Sequence, residues 1–449
     1  MTGGDLALGG APSERLTLEQ KKVGVAAFIG NAIEQYDFFG YGTGAALVFP
    51  SVFYPNTDAR LGTVLAFVTF MVGYIFRPLG AVVFSHLGDR VGRKKALILT
   101  LILMGGSSTL IGALPTYAAT GIIAPLLLLL MRCIQGFAVG GEAAGATVLS
   151  VEHAPPRMRG FLGAFPLIGV ASGLVVANML FLLMTTILSK EDFMAWGWRV
   201  PFLLSAVLVA VGIWIRARIN ETPVFQKMAE QGKRATVPFF TLLRTSWRQV
   251  LSMVLATMHP NTQGYVTIFI LGYAVRELGI TQSAVLAFSV VANIIEIPVT
   301  FASGWISDKI GRRRMILIGL VVACIIGAAF FPMVNTKVPS LIFLAILITR
   351  LGIALMFGTL YTFYAETFDT SVRYSGMAVA AAISGLIGAQ IPIVASAVMT
   401  GGQGTLAMSA FLFAASFLAL ITVAITKHQG GRDLSHAVDT PASDEPMRS

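Results

Sequence analysis

An all-α membrane protein, built from twelve membrane-crossing helices in two six-helix halves, is the fold class this sequence predicts. Three observations carry that prediction. The chain has 449 residues, of which 55% are hydrophobic and only 12% charged, and its mean hydropathy is +0.78, far outside the range of soluble domains. Its apolar residues form continuous runs of about 18 to 29 residues rather than alternating segments of about ten, which excludes a barrel. The second half also repeats motifs of the first at a fixed offset.

A hydrocarbon core of about 30 Å needs roughly 20 apolar residues per helix, and only a helix satisfies its own backbone groups in lipid. After a polar tail, 1–22, the first half (23–217) reads as spans at 23–50, 61–84, 96–114, 122–150, 161–187 and 200–217. A long polar loop, 218–248, is the seam. The second half (249–426) has spans at 249–275, 284–305, 315–334, 338–364, 375–400 and 404–426, followed by a polar tail, 427–449. The N-terminal tail lacks a charged-apolar-small pattern, so no cleaved leader is expected. Cys133 and Cys324 both fall inside spans, so disulfides are not expected to stabilise the fold.

Basic residues set the orientation. With the N-terminus inside, 24 of the 32 Lys and Arg fall on inner segments, five on outer ones, and three (Arg77, Arg132, Arg350) within spans. Both termini are therefore expected in the cytoplasm, with the chain in the cell membrane. The net charge of +10 is spread over short loops, which fits orientation and contact with anionic lipid and calls for no nucleic acid. The five His are scattered without metal-ligand spacing, so no metal or cofactor is expected.

The repeat is visible in motifs. "SHLGDRVGRKK" at 85–95 follows span two and "GWISDKIGRRR" at 304–314 follows span eight. Asp89 with Asp308, Gly92 with Gly311 and Arg93 with Arg312 are all 219 residues apart, and Arg132 and Arg350 are 218 apart. A carboxylate at a helix end, a turn-forming Gly and a cluster of cations can latch neighbouring helices; the plainer alternative is that these loops only set topology. At these residues the chain resembles the major facilitator superfamily, with Ser85 standing where the signature loop usually begins with Gly. "GNAIEQYDFFGYG", "FRPLG", "RCIQGFAVGGEAAGA", "EHAPPRMRG", "WGWRVPFLLS" and "INETPVF" are similar to the metabolite:proton symporter branch. Gln35 departs from that branch, which commonly has an aromatic residue there, and the tail shows no heptads of the kind osmosensing members append.

The resemblance implies a secondary transporter that moves a small carboxylate or zwitterion with protons by alternating access, as a monomeric unit with no cofactor beyond the coupling proton. It implies an inner gate made of Asp89, Arg90, Gly92, Arg93, Asp308, Gly311 and Arg312, joined by Glu152 with Arg159 and Glu366 with Arg373. A sugar porter of the same superfamily is the alternative, although its usual strings after spans six and twelve are replaced here by "INETPVF" and "ITKHQGG". A non-transporting receptor or a channel is the alternative from another class.

Buried charge marks the candidate site. Asn31, Glu34, Asp37, Phe38 and Tyr41 share an arc of about 120° on span one, which should face the space between halves. Span four repeats the pattern with Arg132, Gln135 and Glu142. Buried charges are costly and call for partners. At about 1.5 Å per residue Asp37 lies roughly 21 Å in and Arg132 roughly 27 Å, which favours an Asp37–Arg132 pair, with Glu34, Glu142 and Arg77 forming an inner layer. Either Glu34 or Asp37 takes up the coupling proton, or the charges are a static network that fixes packing. Substrate contacts are expected from Asn31, Tyr41, Arg132 and Gln135 of the first half. From the second half they are expected from His259, Asn261, Gln263, Asn293, Glu296, Arg350, Tyr361 and Gln390. Arg suits a substrate carboxylate, which it holds by two parallel hydrogen bonds. Pro260 should break or kink span seven, as a gate or merely as packing.

Overall fold

The computed structural model describes residues 16–91, 93–140, 145–152, 154–217, 244–368, 372–399 and 404–426. Among them there is no strand. The first half holds α1 (Leu18–Leu47), α2 (Ala59–Val91), α3 (Arg93–Ala113), α4 (Ile123–Val139, resuming as Gly145–Glu152), α5 (Phe165–Ile187, led by a turn Arg159–Gly163) and α6 (Ser205–Ala217, led by Arg199–Leu203). The second holds α7 (Trp247–Arg276), α8 (Gln282–Ile310), α9 (Arg312–Val334), α10 (Pro339–Thr367), α11 (Arg373–Ala389, resuming as Ile391–Val398) and α12 (Thr405–Ile425).

Eight of these helical runs are long and apolar enough to cross a membrane by length and composition, and two shorter ones, Ile98–Ala113 and Ile123–Val139, are apolar as well. The two that remain are α1 and α7, the first helix of each half. Acids and amides in α1, and His259, Asn261 and Gln263 in α7, hold their hydropathy down. Their polarity is tolerable because most of it points inward: Glu34, Asp37, His259 and Gln263 are all buried.

Packing repeats as the motifs do. In the first half α1 packs on α5, α2 on α4, and α3 on both α4 and α6; in the second α7 packs on α11, α8 on α10, and α9 on both α10 and α12. Each contact is thus matched six helices later. The halves meet through α1 with α7, α5 with α8, and α2 with α11. Close approach needs small residues: a Cβ on Gly304 of α8 would lie 2.6 Å from the Gly160 carbonyl, so this crossing between halves is backbone against backbone.

Pro260 does not break α7, which runs through it for 30 residues. The carbonyl that loses a partner is four residues earlier, a single loss that a long, enclosed helix absorbs. The chain turns from α8 into α9 at Gly311, whose φ of 96° a side chain would resist.

Candidate functional site

Between the halves lies a cavity of about 150 Å³. Its walls come from α1, α2, α4 and α5 on one side and α7, α8, α10 and α11 on the other, again sets related by the repeat. Among the described residues four charged side chains line it: Glu34 of α1, Arg77 of α2, Glu296 of α8 and Arg350 of α10. Asn31, Gln35, Asn261, Tyr265 and Tyr361 add polar groups, and Phe38, Phe39 and Phe357 add apolar faces. Asn31 is fixed by donating to the Pro166 carbonyl at 3.0 Å. Glu34 accepts from the Gln35 amide at 3.4 Å.

The charged groups differ in how they are held. Arg77 stacks over the Tyr74 ring, 4.1 Å from its centre, with Phe38 at 5.2 Å. Arg350 donates to Thr267 Oγ1 at 2.6 Å and faces Glu296 at 3.6 Å, a separation beyond hydrogen-bond range.

The remaining expected residues of the first half lie elsewhere. Asp37 is buried against α6, where its Oδ1 accepts from Ser205 Oγ, and it does not line the cavity. Arg132 does not pair with Asp37. Its guanidinium lies over the Tyr41, Phe70 and Phe38 rings at 4.4, 4.8 and 5.2 Å, and donates to the Phe70 carbonyl at 3.1 Å and to Gln135. Gln135 passes the chain on to Ser108 at 2.7 Å. The depths of the acid and the base allowed a pair, but the two side chains leave their helices toward different neighbours. Arg132 and Gln135 meet Glu34 and Arg77 only around a second, much smaller cavity inside the first half. Tyr41 is fully buried beneath Arg132.

On the other side, His259 contacts Ser416 of α12 at 3.0 Å, and Gln263 donates to Ser416 and to the Ala323 carbonyl. Both belong to the interior of the second half. Asn293 bonds to Ser289, also off the cavity. Gln390 is exposed at the break in α11, too far round to take part. Glu142 and Gly92 lie outside the described residues, as do the side chains of Asp89, Arg90 and Arg93.

Both ends of the interface are tied. At the face carrying the basic loops, Asp308 accepts from the backbone N–H of Gly160 at 2.9 Å and of Phe161 at 3.0 Å, from the opposite half. Arg312 bridges Asp308 at 2.7 Å and Glu366 at 3.0 Å. Glu152 takes Arg373 of the other half as its partner at 2.8 Å, rather than its neighbour in sequence. Arg159 is buried beside this junction. At the opposite face Arg276 donates to the Ala46 carbonyl at 2.7 Å, and Arg60 to those of Ser396 and Ala397, again between halves. A buried chain between them escaped the sequence reading: Thr43 donates to Asn178, and Asn178 to Ser289 across the interface at 2.9 Å. Only the polarity of Asn178 within an apolar run marked it.

Two six-helix halves around a charged central cavity define a polytopic membrane carrier. The chain belongs to the Major Facilitator Superfamily, whose family model matches residues 28–392. It is 37% identical to the inner membrane metabolite transport protein YhjE of Escherichia coli, over 91% of this chain and 95% of that one. It is 32% identical to the shikimate transporter of Escherichia coli (91% and 94% covered) and 33% to the proline/betaine transporter of Salmonella typhimurium (95% and 86%). A crystal structure of a D-xylose-proton symporter superposes with a TM-score of 0.69 at 17% identity, covering 90% of this chain and 97% of that one, which bears on the fold alone. The protein is thus a multi-pass membrane transporter of metabolites, not an enzyme.

Proposed function

We propose that the protein is a proton-coupled symporter that takes up a small carboxylate or zwitterionic metabolite by alternating access, with both termini and the basic face in the cytoplasm. The observation that carries this reading is the cavity itself, set between the halves and lined, among the described residues, by two carboxylates and two guanidiniums. Glu34, Glu296 and Arg350 are buried and Arg77 is half-buried, a cost that a substrate bringing charged groups of its own helps to offset. The named substrates of the shikimate and proline/betaine relatives, each of which carries a carboxylate, support it.

Glu34 is the proton acceptor of this reading, because it lines the cavity while Asp37 is turned to Ser205. A proton on Glu34 and a substrate beside it alter the charge balance against Arg77, and with it the preferred facing state. One proton crossing about 100 mV releases roughly 2.3 kcal/mol, enough for about 50-fold accumulation of a zwitterion with no net charge. The ties around Asp308 and Glu152 then form the cytoplasmic gate, and those of Arg60 and Arg276 the outer one.

Uptake into vesicles under an imposed proton gradient tests the assignment, with shikimate, 2-oxoglutarate, citrate, L-proline, betaine and xylose as probes. Glu34→Gln is expected to abolish accumulation while leaving exchange. Full accumulation in that variant overturns the role of Glu34, and loss in Asp37→Asn alone moves the proton to Asp37. Transport of xylose only would overturn the substrate class.

A further inference from the structure

We propose that Arg350 is the anion pole of the cavity, that Glu296 occupies this pole when no substrate is present, and that Glu296 takes up a proton when a substrate carboxylate displaces it. The proposal rests on reading the cavity as a carboxylate site. It adds a second proton-linked group, in the half opposite Glu34.

Of the three arginines within the spans, only Arg350 is both deeply buried and short of partners. Arg132 is engaged by three rings, a carbonyl and Gln135. Arg77 lies over Tyr74 and is only half-buried. Arg350 is 5% exposed and anchored from one side by Thr267, and its Nε makes no hydrogen bond. Glu296, 4% exposed, stands at 3.6 Å with its Oε2 equally unbonded. A buried ion pair offsets its desolvation only when close and fully hydrogen-bonded, and this one is neither. Both side chains line the cavity, so a substrate carboxylate there can compete with Glu296 for the Arg350 guanidinium, whose unbonded Nε is itself covered and is uncovered only as the pair separates. A carboxylate there gains charge-assisted hydrogen bonds from Arg350.

Its arrival sets a second negative charge beside Glu296 and engages the cation that faced it, and both effects favour the neutral acid. One proton from solution adds to the Glu296 carboxylate, giving a neutral acid, and no other bond changes. The surroundings leave Glu296 the responsive group of this half. Arg350 and Tyr361 share the cavity from α10, Tyr265 from α7, Glu34 from α1 and Arg77 from α2, while α5 presents Leu167 and Val170. The titratable residues of α9 are Arg312 to Arg314, at its basic end, and Cys324. By linkage, affinity for a carboxylate rises as pH falls through the range in which Glu296 titrates.

The test is calorimetric titration of the purified full-length protein with shikimate, 2-oxoglutarate and L-proline at pH 5.5 and 8, in two buffers of different ionisation enthalpy. The wild type is expected to bind at least one probe about tenfold more tightly at pH 5.5, with uptake of about one proton. Glu296→Gln is expected to take up about one proton fewer than the wild type and to lose most of the pH dependence, binding at pH 8 nearly as tightly as the wild type at pH 5.5. Arg350→Gln is expected to lose at least 30-fold at both. Where that variant does not fold, Arg350→Lys, which keeps the charge but not the planar fork, is expected to lose tenfold. A pH slope that survives Glu296→Gln but vanishes in Glu34→Gln overturns the proposal and leaves the carboxylate reading intact. A folded wild type that binds none of the probes, or binds methyl shikimate as well as shikimate, overturns the carboxylate reading and the proposal with it.

Discussion

Arg132 and Arg350 stand at matching positions of the two halves, and their circumstances are opposite. Arg132 is sealed among the rings of Phe38, Tyr41 and Phe70, and its hydrogen bonds go to the Phe70 carbonyl and Gln135. Arg350 looks across the cavity wall at Glu296 and leaves a donor unused. The duplication kept a cation at one place in the bundle while the neighbourhoods diverged. In the first half its guanidinium is taken up by ring and hydrogen-bond contacts, and in the second it borders the main cavity. Position in a repeat therefore predicts where a charge sits but not what it does.

The largest expected effect separates these two roles. Arg132→Ala removes three cation–π contacts, each worth about 0.5 to 2 kcal/mol, and leaves the Phe70 carbonyl and Gln135 buried without their donor. A destabilisation of about 3 kcal/mol or more is expected, read as a lowered thermal melt, with the carboxylate affinity of the folded fraction within about threefold of wild type. Arg350→Gln is expected to do the reverse, losing the ligand with a smaller change in the melt. If Arg132→Ala abolishes binding in well-folded protein, the contrast between the halves is wrong.

The helices were legible because lipid leaves the chain no alternative, and the halves because their loops repeat a motif. The site was legible only in part, for a reason that α7 illustrates. Its polar residues divide between two faces: His259 and Gln263 turn to Ser416 of α12, whereas Asn261 and Tyr265, two positions on, line the cavity. Polarity says that a residue avoids lipid, but an interior helix borders both the cavity and its own half. The same ambiguity misplaced Asp37. An arc of about 120° on α1 spans Glu34, at the cavity, and Asp37, against α6. Gln390 was lost differently, because the break between Ala389 and Ile391 resets the helical register. Nothing in a single sequence pairs Glu152 with Arg373 rather than Arg159, since that choice depends on how the halves dock.

The comparison extends to the ends of the interface, where the tie from the second half can be weakened selectively. Asp308→Asn retains the shape but loses the charge that strengthens two hydrogen bonds from Gly160 and Phe161 and the bridge to Arg312. A shift of about 2 kcal/mol toward opening of the basic face is expected, roughly 30-fold in population. The measurement is maleimide labelling of Thr362→Cys, a buried position, in a background with Cys133 and Cys324 replaced by Ser. Unchanged labelling would remove Asp308 from the gate. The Glu152–Arg373 pair is expected to matter less, because the Glu152 side chain is 40% exposed and screened by water. Reversing Arg373 to Glu should reduce transport about fivefold, and reversing both residues should recover most of that loss.

The smallest effect tests the middle of the interface, where the halves share a hydrogen bond rather than a charge. Ser289 accepts from Asn178 of α5 and from Asn293 of its own helix, so Ser289→Ala leaves both amides without that acceptor while barely changing volume. Interhelical hydrogen bonds in membranes average about 0.6 kcal/mol, because the groups find other partners when one is lost. If the chain from Thr43 through Asn178 persists as the halves rock, its loss should weaken both facing states alike. Thermal stability should then fall slightly while the labelling of Thr362→Cys stays within about threefold of its parent. A tenfold change in labelling would mean that this bond forms in one facing state only, and that the central contact is a gate like those at the two faces.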